Sequence, residues 1–272
     1  MTNKILIIGK PHSGKTTFIA QLYAKLDVNE SLVKLYKTVE NLTPISDSLK
    51  RLANGEEVTA TPTDKNTEII LPIELDGKKI DLCCPDYGGE QVNNIIVDRE
   101  VNDKWKKSIK ECDNWILFIR PTNVSSDYDL SNKTINPEVL ENGTGEAEQF
   151  VISDQSGYIE LLQIMLYIKE HDAHFRSKTK LTVVLTCWDE IESPLDPIKT
   201  LENSLPLFLN FINSNWEKGY FKILGLSSLG FSLKEPKNKE KYQAEGSENF
   251  GFIILEDGTK DSDVTQLISQ SL

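Results

Sequence analysis

The stretch that decides the reading is Gly9-Lys10-Pro11-His12-Ser13-Gly14-Lys15-Thr16, near the start of a chain of 272 residues. It matches G-x-x-x-x-G-K-[ST]. In that pattern the glycines let successive backbone N–H groups curl around phosphate oxygens. The lysine ammonium reaches the β- and γ-phosphates, and the last hydroxyl ligates Mg2+. The flanks agree with the motif. Ile5 to Ile8 is a short β-rich apolar run, and Thr16 to Leu26 carries Phe18, Ile19, Leu22, Tyr23 and Leu26 at helical spacing. A helix starting there aims its positive end at the anion. The residues expected around a polyphosphate are therefore Gly9, Pro11, His12, Ser13, Gly14, Lys15, Thr16 and Thr17.

Working outward, apolar runs alternate with helical patterns. Leu32 to Leu52 reads as one or two helices ending near Asn54-Gly55. Thr67 to Leu75 alternates as a strand, Asp76-Gly77 is a hairpin turn signal, and Lys79 to Cys84 is the returning strand. Val92 to Cys112 is polar but periodic and reads as helix; Asn114 to Ile119 is a buried strand. Pro121 to about Asp154 is polar, a long insertion or mobile loop. Ile159 to Ile168 is an amphipathic helix, Leu181 to Cys187 the most hydrophobic strand, Ile198 to Trp216 helix, and Tyr220 to Leu226 strand. Lys234 to Asn249 is charged and poor in apolar residues, which reads as a loop. Phe250 to Leu255 resembles a short strand and Asp263 to Ser271 a closing helix.

Strands alternating with helices imply an α/β fold of three layers. A mostly parallel sheet is covered on both faces, and the Thr67–Cys84 hairpin adds one antiparallel edge strand. The length suits a single enlarged domain over 1–272, with insertions at about 27–58 and 121–154 and a loop at about 232–249.

Composition narrows the class. With 42 acidic against 30 basic residues the net charge is −12, and no basic stripe is visible, so nucleic acid is not an expected partner. No cluster of Lys and Arg reads as a lipid-surface patch. Cys83, Cys84, Cys112 and Cys187 show no C-x-x-C spacing and read as free thiols of a reducing compartment. No run approaches the ~20 apolar residues needed to span a bilayer. Met1-Thr2-Asn3-Lys4 leads directly into a strand rather than into a signal peptide. A cytoplasmic protein with no integral membrane segment is expected.

A second motif, Cys84-Pro85-Asp86-Tyr87-Gly88-Gly89-Glu90, follows the returning strand. An aspartate at a strand end beside a phosphate loop can hold Mg2+ through water, and the Gly89 N–H can sense a γ-phosphate. Together the two motifs resemble the P-loop GTPases of the translation-factor-related (TRAFAC) class, whose second motif is D-x-x-G. The resemblance implies three more elements. A threonine before the antiparallel strand coordinates Mg2+; Thr59, Thr61 and Thr63 are available, with Thr63 the first choice and Thr61 the next. A base-reading N-K-x-D corresponds to Thr186-Cys187-Trp188-Asp189 after strand Leu181–Leu185. Asp189 matches the key carboxylate, Thr186 stands for the usual Asn and Cys187 for the usual Lys. A carboxylate only accepts, so it favours guanine N1–H and N2–H2 over the adenine N1 acceptor. Losing the lysine stem weakens base stacking and implies micromolar affinity. A helix-capping or loop aspartate is the competing reading of Asp189. Last, Gly225-Leu226-Ser227-Ser228-Leu229 resembles the S-A-K loop whose backbone N–H meets guanine O6, which makes Ser227 and Ser228 base contacts. All five elements keep the family's order across most of the chain. The insertions and the Gly-Phe-Ile-Ile-Leu-Glu-Asp-Gly stretch at 251–258 resemble, more narrowly, the double-GTPase domains of bacterial conflict systems, which implies a part in bacterial defence.

The resemblance implies a Mg2+-dependent enzyme that binds GTP and GDP, hydrolyses GTP, and switches an effector or regulator protein. Such chemistry needs positioning and charge neutralisation. Lys15 and Mg2+ would stabilise the γ-phosphate, with Thr16, Thr63 and Asp86 holding the metal. Many relatives orient the attacking water with a Gln just after the D-x-x-G glycine. Here that position is Glu90, followed by Gln91, and both are candidate catalytic residues. A glutamate charge beside a polyphosphate is unfavourable, so slow intrinsic turnover is expected. Pro11 removes one N–H donor and stiffens the loop. His171 and His174 share a helix face without further ligands, and no second metal is assigned to them. Two other readings stay open. One is an ATPase or small-molecule kinase on the same loop, although Lys234–Lys241 offers a lid lysines and no arginine. The other is a non-catalytic nucleotide-binding scaffold, consistent with the altered base motif and the missing Gln.

Overall fold

The computed structural model describes residues 2–27, 33–59, 68–85, 89–125, 152–170, 174–192, 194 and 196–272. The first apolar run is β1 (Asn3–Gly9), in which Ile5, Leu6, Ile7 and Ile8 are all buried. Burial of consecutive residues means that both faces of the strand are covered, as in a central parallel strand. The chain continues through α1 (Lys15–Asp27), β2 (Val33–Leu35), α2 (Ser46–Ala53), β3 (Ile69–Leu75) and β4 (Lys78–Cys84). Next come α3 (Glu90–Asp98), α4 (Asp103–Glu111), β5 (Asn114–Ile119), α5 (Asp154–Ile168) and β6 (Lys180–Thr186). It ends with α6 (Pro197–Ser204), α7 (Pro206–Asn215), β7 (Phe221–Ser227), α8 (Pro236–Glu245), β8 (Phe252–Ile254), β9 (Lys260–Asp261) and α9 (Gln266–Gln270).

The strands form one sheet in the order β2-β3-β4-β1-β5-β6-β7-β8-β9. Its centre, β4-β1-β5-β6-β7, is parallel. The expected single antiparallel edge needs correction, because β2–β3, β3–β4, β7–β8 and β8–β9 are all antiparallel, so both edges carry reversed strands. Strand β8 lies within the short strand expected at Phe250–Leu255, whereas β2 and β9 run for only three and two residues, too short to display a period-two pattern. The β3–β4 hairpin closes on Asp76-Gly77, with both residues at positive φ, as the Asp-Gly signal implies.

Helices cover both faces. Leu6 and Ile8 of β1 join Trp105, Trp115, Leu161, Met165 and Phe208 in one core, against α4, α5 and α7. Ile5 and Ile7 join Phe18, Leu22, Phe118 and Leu267 in the other, against α1 and α9. A third cluster, Ala20, Leu52, Leu233, Tyr242 and Phe250, fastens α8 and α2 to α1. Among the described residues no helix is long and apolar enough to cross a membrane.

Four local readings are corrected. Within 32–52, Val33–Leu35 is strand and only Ser46–Ala53 is α-helix. The 92–112 helix is two, because Arg99 turns left-handed at φ 56 and Asn102 starts a new helix by accepting a bond from the Trp105 N–H. The 198–216 helix is also two, broken where Pro206 opens α7. The loop expected at 232–249 contains helix α8, which shows Tyr242 as its buried residue and is otherwise a solvated charged surface. Most of the expected 121–154 insertion lies outside the described residues.

Candidate functional site

The parallel strands end together: Gly9 pairs with Phe118, Ile119 with Leu185, and Thr186 with Leu226. The order reverses around β1, which is flanked by β4 and β5, and the carboxyl end of such a switch point is where α/β sheets leave a crevice. The phosphate-loop residues occupy that place. Gly9 ends β1 and Lys15 opens α1. The Lys15 ammonium is buried and donates to Gly9 O at 2.7 Å, Lys10 O at 2.9 Å and Ser13 Oγ at 3.3 Å. Its charge is therefore held within the turn. Ser13 is buried, Pro11, Gly14, Thr16 and Thr17 are half-buried, and His12 is exposed at φ 60.

Gly89 caps the N-terminus of α3 at φ 91 and lies against the same loop. A side chain there would put Cβ 2.7 Å from Lys10 C and Pro11 N and 2.8 Å from Gly9 O, all backbone atoms. Only glycine allows the two motifs to approach this closely. Glu90 is the first residue of α3 and half-buried. The Gln91 carbonyl Oε1 accepts from Trp105 Nε1 at 2.8 Å and from Asn102 Nδ2 at 3.1 Å, so it fastens α3 to α4. An acceptor engaged in this way is poorly suited to orienting water. Thr63 and Asp86 lie outside the described residues, as do Thr61 and His171.

The base-reading elements meet on the next strands. After β6, Cys187 takes a left-handed φ of 52 and a short 3-10 turn, Trp188–Glu190, follows. The Trp188 ring is buried over Gly225 of β7, where any Cβ would come within 2.5 Å of it. That seat carries Asp189 to the surface, where its Oδ1 accepts a short hydrogen bond from Ser227 Oγ; the same Oγ accepts from the Gly230 N–H at 2.8 Å. Asp189, Ser228, Thr17, Gly14, Thr186 and Cys187 line one cleft of about 170 Å³. Burial pushes the Cys187 thiol up to about 12.

Sequence reading missed several residues of this cleft. Arg120, at the end of β5, pairs with Glu190 through Nε at 2.9 Å and Nη2 at 2.5 Å, and both line it. Glu57, Val58 and Phe231 form more of its wall. Arg120 follows a strand at the ligand-binding edge, which is a usable signal; Phe231 is an aromatic stranded in a polar loop, a weaker one. Lys10 was also missed. Its ammonium meets Asp154 Oδ1 at 2.6 Å and lies 4.6 Å from the Tyr158 ring centre, and Asp154 Oδ2 accepts from the Ser125 N–H at 2.8 Å. The phosphate loop is thus tied to the N-terminus of α5.

No curated protein matches the chain. Among solved structures, the Arl6 BBS3 small GTPase from Trypanosoma brucei with bound nucleotide analogue GppNp is similar at 12% identity, over 91% of this chain and 98% of that one, with a TM-score of 0.41. The sequence model of the Double-GTPase 1 family matches residues 6–271. The match runs from within β1 to the residue after α9, and the chain belongs to the Double-GTPase 1 family.

Proposed function

We propose that this chain binds GTP and GDP with Mg2+, hydrolyses GTP slowly, and acts as a molecular switch for an effector or regulator protein in the bacterial cytoplasm, with a part in defence. We read it as a single GTPase-like domain over 1–272, with additions at about 27–58 and 121–154. The observation that carries the reading is the convergence of Lys15, Gly89 and Asp189 at the carboxyl end of the central parallel strands. A buried ammonium, a glycine pressed on the loop backbone and an exposed carboxylate there suit a polyphosphate at one end and a guanine edge at the other.

Thr16, Thr63 and Asp86 would hold the metal. A hydroxyl pair and a carboxylate are hard oxygen donors of the kind that suit Mg2+. When bound, that ion neutralises charge on the β- and γ-phosphates. Lys15 would hold the γ-phosphate, the Gly89 N–H would mark its presence, and Glu90 would anchor the attacking water. Slow turnover is supported by the engagement of the Gln91 carbonyl with Trp105. The Gly89–Gln91 region and Thr63 would order around γ-phosphate and change which partner binds.

Competitive binding of GTP, GDP and ATP with Mg2+ tests the reading, together with single-turnover phosphate release. The expected result is guanine preference, slow release, and loss of nucleotide uptake in Lys15→Ala. Undiminished uptake by that variant, or equal affinity for ATP, refutes it.

A further inference from the structure

We propose that Phe231 is the stacking platform for the nucleotide base, a task that Cys187 is too short to perform. The inference rests on the guanine-nucleotide reading of the cleft and adds a base-contact residue to it. An aromatic ring is an effective partner for a purine face.

Phe231 borders the same cleft as Asp189, Cys187 and Thr17 and is half-buried, so part of its ring is available to a ligand. The rest is clamped. Its centroid is 5.1 Å from that of Phe250 at 72° and 6.4 Å from that of Tyr242 at 86°. Tyr242 and Phe250 stack on each other at 5.0 Å, and the Tyr242 hydroxyl donates to Gln21 Oε1 at 2.8 Å. Gln21 belongs to α1, the helix that opens with Lys15 and Thr16. The ring is therefore referenced to the phosphate loop. A contact side chain already fixed by its neighbours loses little rotamer freedom when a ligand arrives.

Phe231 is also referenced to the carboxylate. The Ser227 hydroxyl that donates to Asp189 accepts from the N–H of Gly230, the residue before Phe231. One hydroxyl thus couples the group suited to the base edge with the group suited to the base face. Val58, from the segment after α2, contributes a second apolar surface to the cleft.

The test measures dissociation constants of GDP and inorganic pyrophosphate for the full chain and two variants. Phe231→Leu keeps an apolar side chain against Tyr242 and Phe250 but removes the π-face; Phe231→Trp keeps an aromatic face. Phe231→Leu is expected to weaken GDP about 5- to 160-fold, the range that loss of a base–aromatic contact gives. Phe231→Trp is expected to retain GDP affinity, with pyrophosphate unchanged in both variants. GDP affinity untouched by Phe231→Leu, or GDP and pyrophosphate weakened in parallel, overturns the platform and leaves the guanine reading standing. An unaltered chain that takes up no GDP overturns both.

Discussion

Ser227, the last residue of β7, donates a hydrogen bond to Asp189, which follows β6, although 38 residues separate them in sequence. The parallel register of Thr186 with Leu226 ends both strands at the same height, and the left-handed Cys187 with the turn after it brings Asp189 back to Ser227. The hydroxyl is fully buried and serves two partners, so its removal frees the Gly230 N–H and releases the carboxylate. Gly230 is half-buried and Asp189 exposed, so water can replace the lost partner, and Ser227→Ala is expected to cost about 0.5–1.5 kcal/mol of folding stability, the net contribution of a hydrogen bond. It should also weaken GDP severalfold. Asp189→Ala should erase discrimination between GDP and ADP. Urea titration and competitive binding check both effects, and an unchanged guanine preference in Asp189→Ala ends the base-reading argument.

Gly89 holds φ 91 with no room for a Cβ beside Lys10 and Pro11. Gly89→Ala must therefore strain α3, displace the phosphate loop, or both. A non-glycine residue forced into a sparsely populated conformation costs about 1–3 kcal/mol. The variant should melt earlier and bind GTP more weakly, with the larger loss for GTP than for GDP because the Gly89 N–H is the proposed γ-phosphate contact. Equal losses for the two nucleotides would count against that contact while leaving the steric argument intact.

The same distinction between local and remote causes explains what the sequence made legible. The β1–loop–α1 unit was readable because a buried apolar run, a glycine-lysine motif and a helical stripe lie next to one another. The Asp76-Gly77 hairpin was readable because two positive-φ residues announce it. Helix α8 was not, since its apolar content is slight and its fastening comes from Gln21, Phe250 and Leu52 on other elements. Its start at Pro236 and its stop at Gly246 were the available signals. In the site, the positions of Lys15, Asp189 and Ser227 follow from motif order along the sheet. The engagement of Gln91 with Trp105 and the clamping of Phe231 depend on packing between separate helices, which no periodicity encodes.

Thiol chemistry offers a third test. Burial pushes Cys187 from its ordinary value of 9.0 up to about 12, and a hydrogen bond with the Cys112 thiol, together with burial, pushes Cys83 up as well. Thiolate is the reactive form, so iodoacetamide at pH 8 should label Cys187 in the folded chain at least a hundredfold more slowly than free cysteine, on the order of its lost thiolate fraction. The folded chain keeps its proton where the unfolded chain releases it. The stability linked to Cys187 is thus complete below pH 9 and is lost as pH rises from 9.0 towards about 12. Urea midpoints measured from pH 7 to 11 should fall across the upper part of that range, and Cys187→Ala should make the fall shallower. Fast labelling of folded protein at pH 8 would refute the burial argument.

Glu90 and Gln91 are adjacent in sequence but sit in different surroundings. Glu90 begins α3 next to Gly89, whereas the Gln91 carbonyl accepts from the buried Trp105 indole and from Asn102. If Glu90 anchors the attacking water, Glu90→Ala should slow single-turnover GTP hydrolysis by about 10²–10⁴, the range for loss of a general acid–base group, with GDP affinity unaffected. Gln91→Ala should leave that rate within a small factor. Its cost falls on stability, about 1–3 kcal/mol, because Trp105 Nε1 loses its acceptor where little water reaches it. Rate constants and denaturation midpoints measured on both variants decide the matter. Should Gln91→Ala abolish hydrolysis in a stably folded chain, the bond to Trp105 must open during turnover, and Gln91 rather than Glu90 would be the residue that orients water.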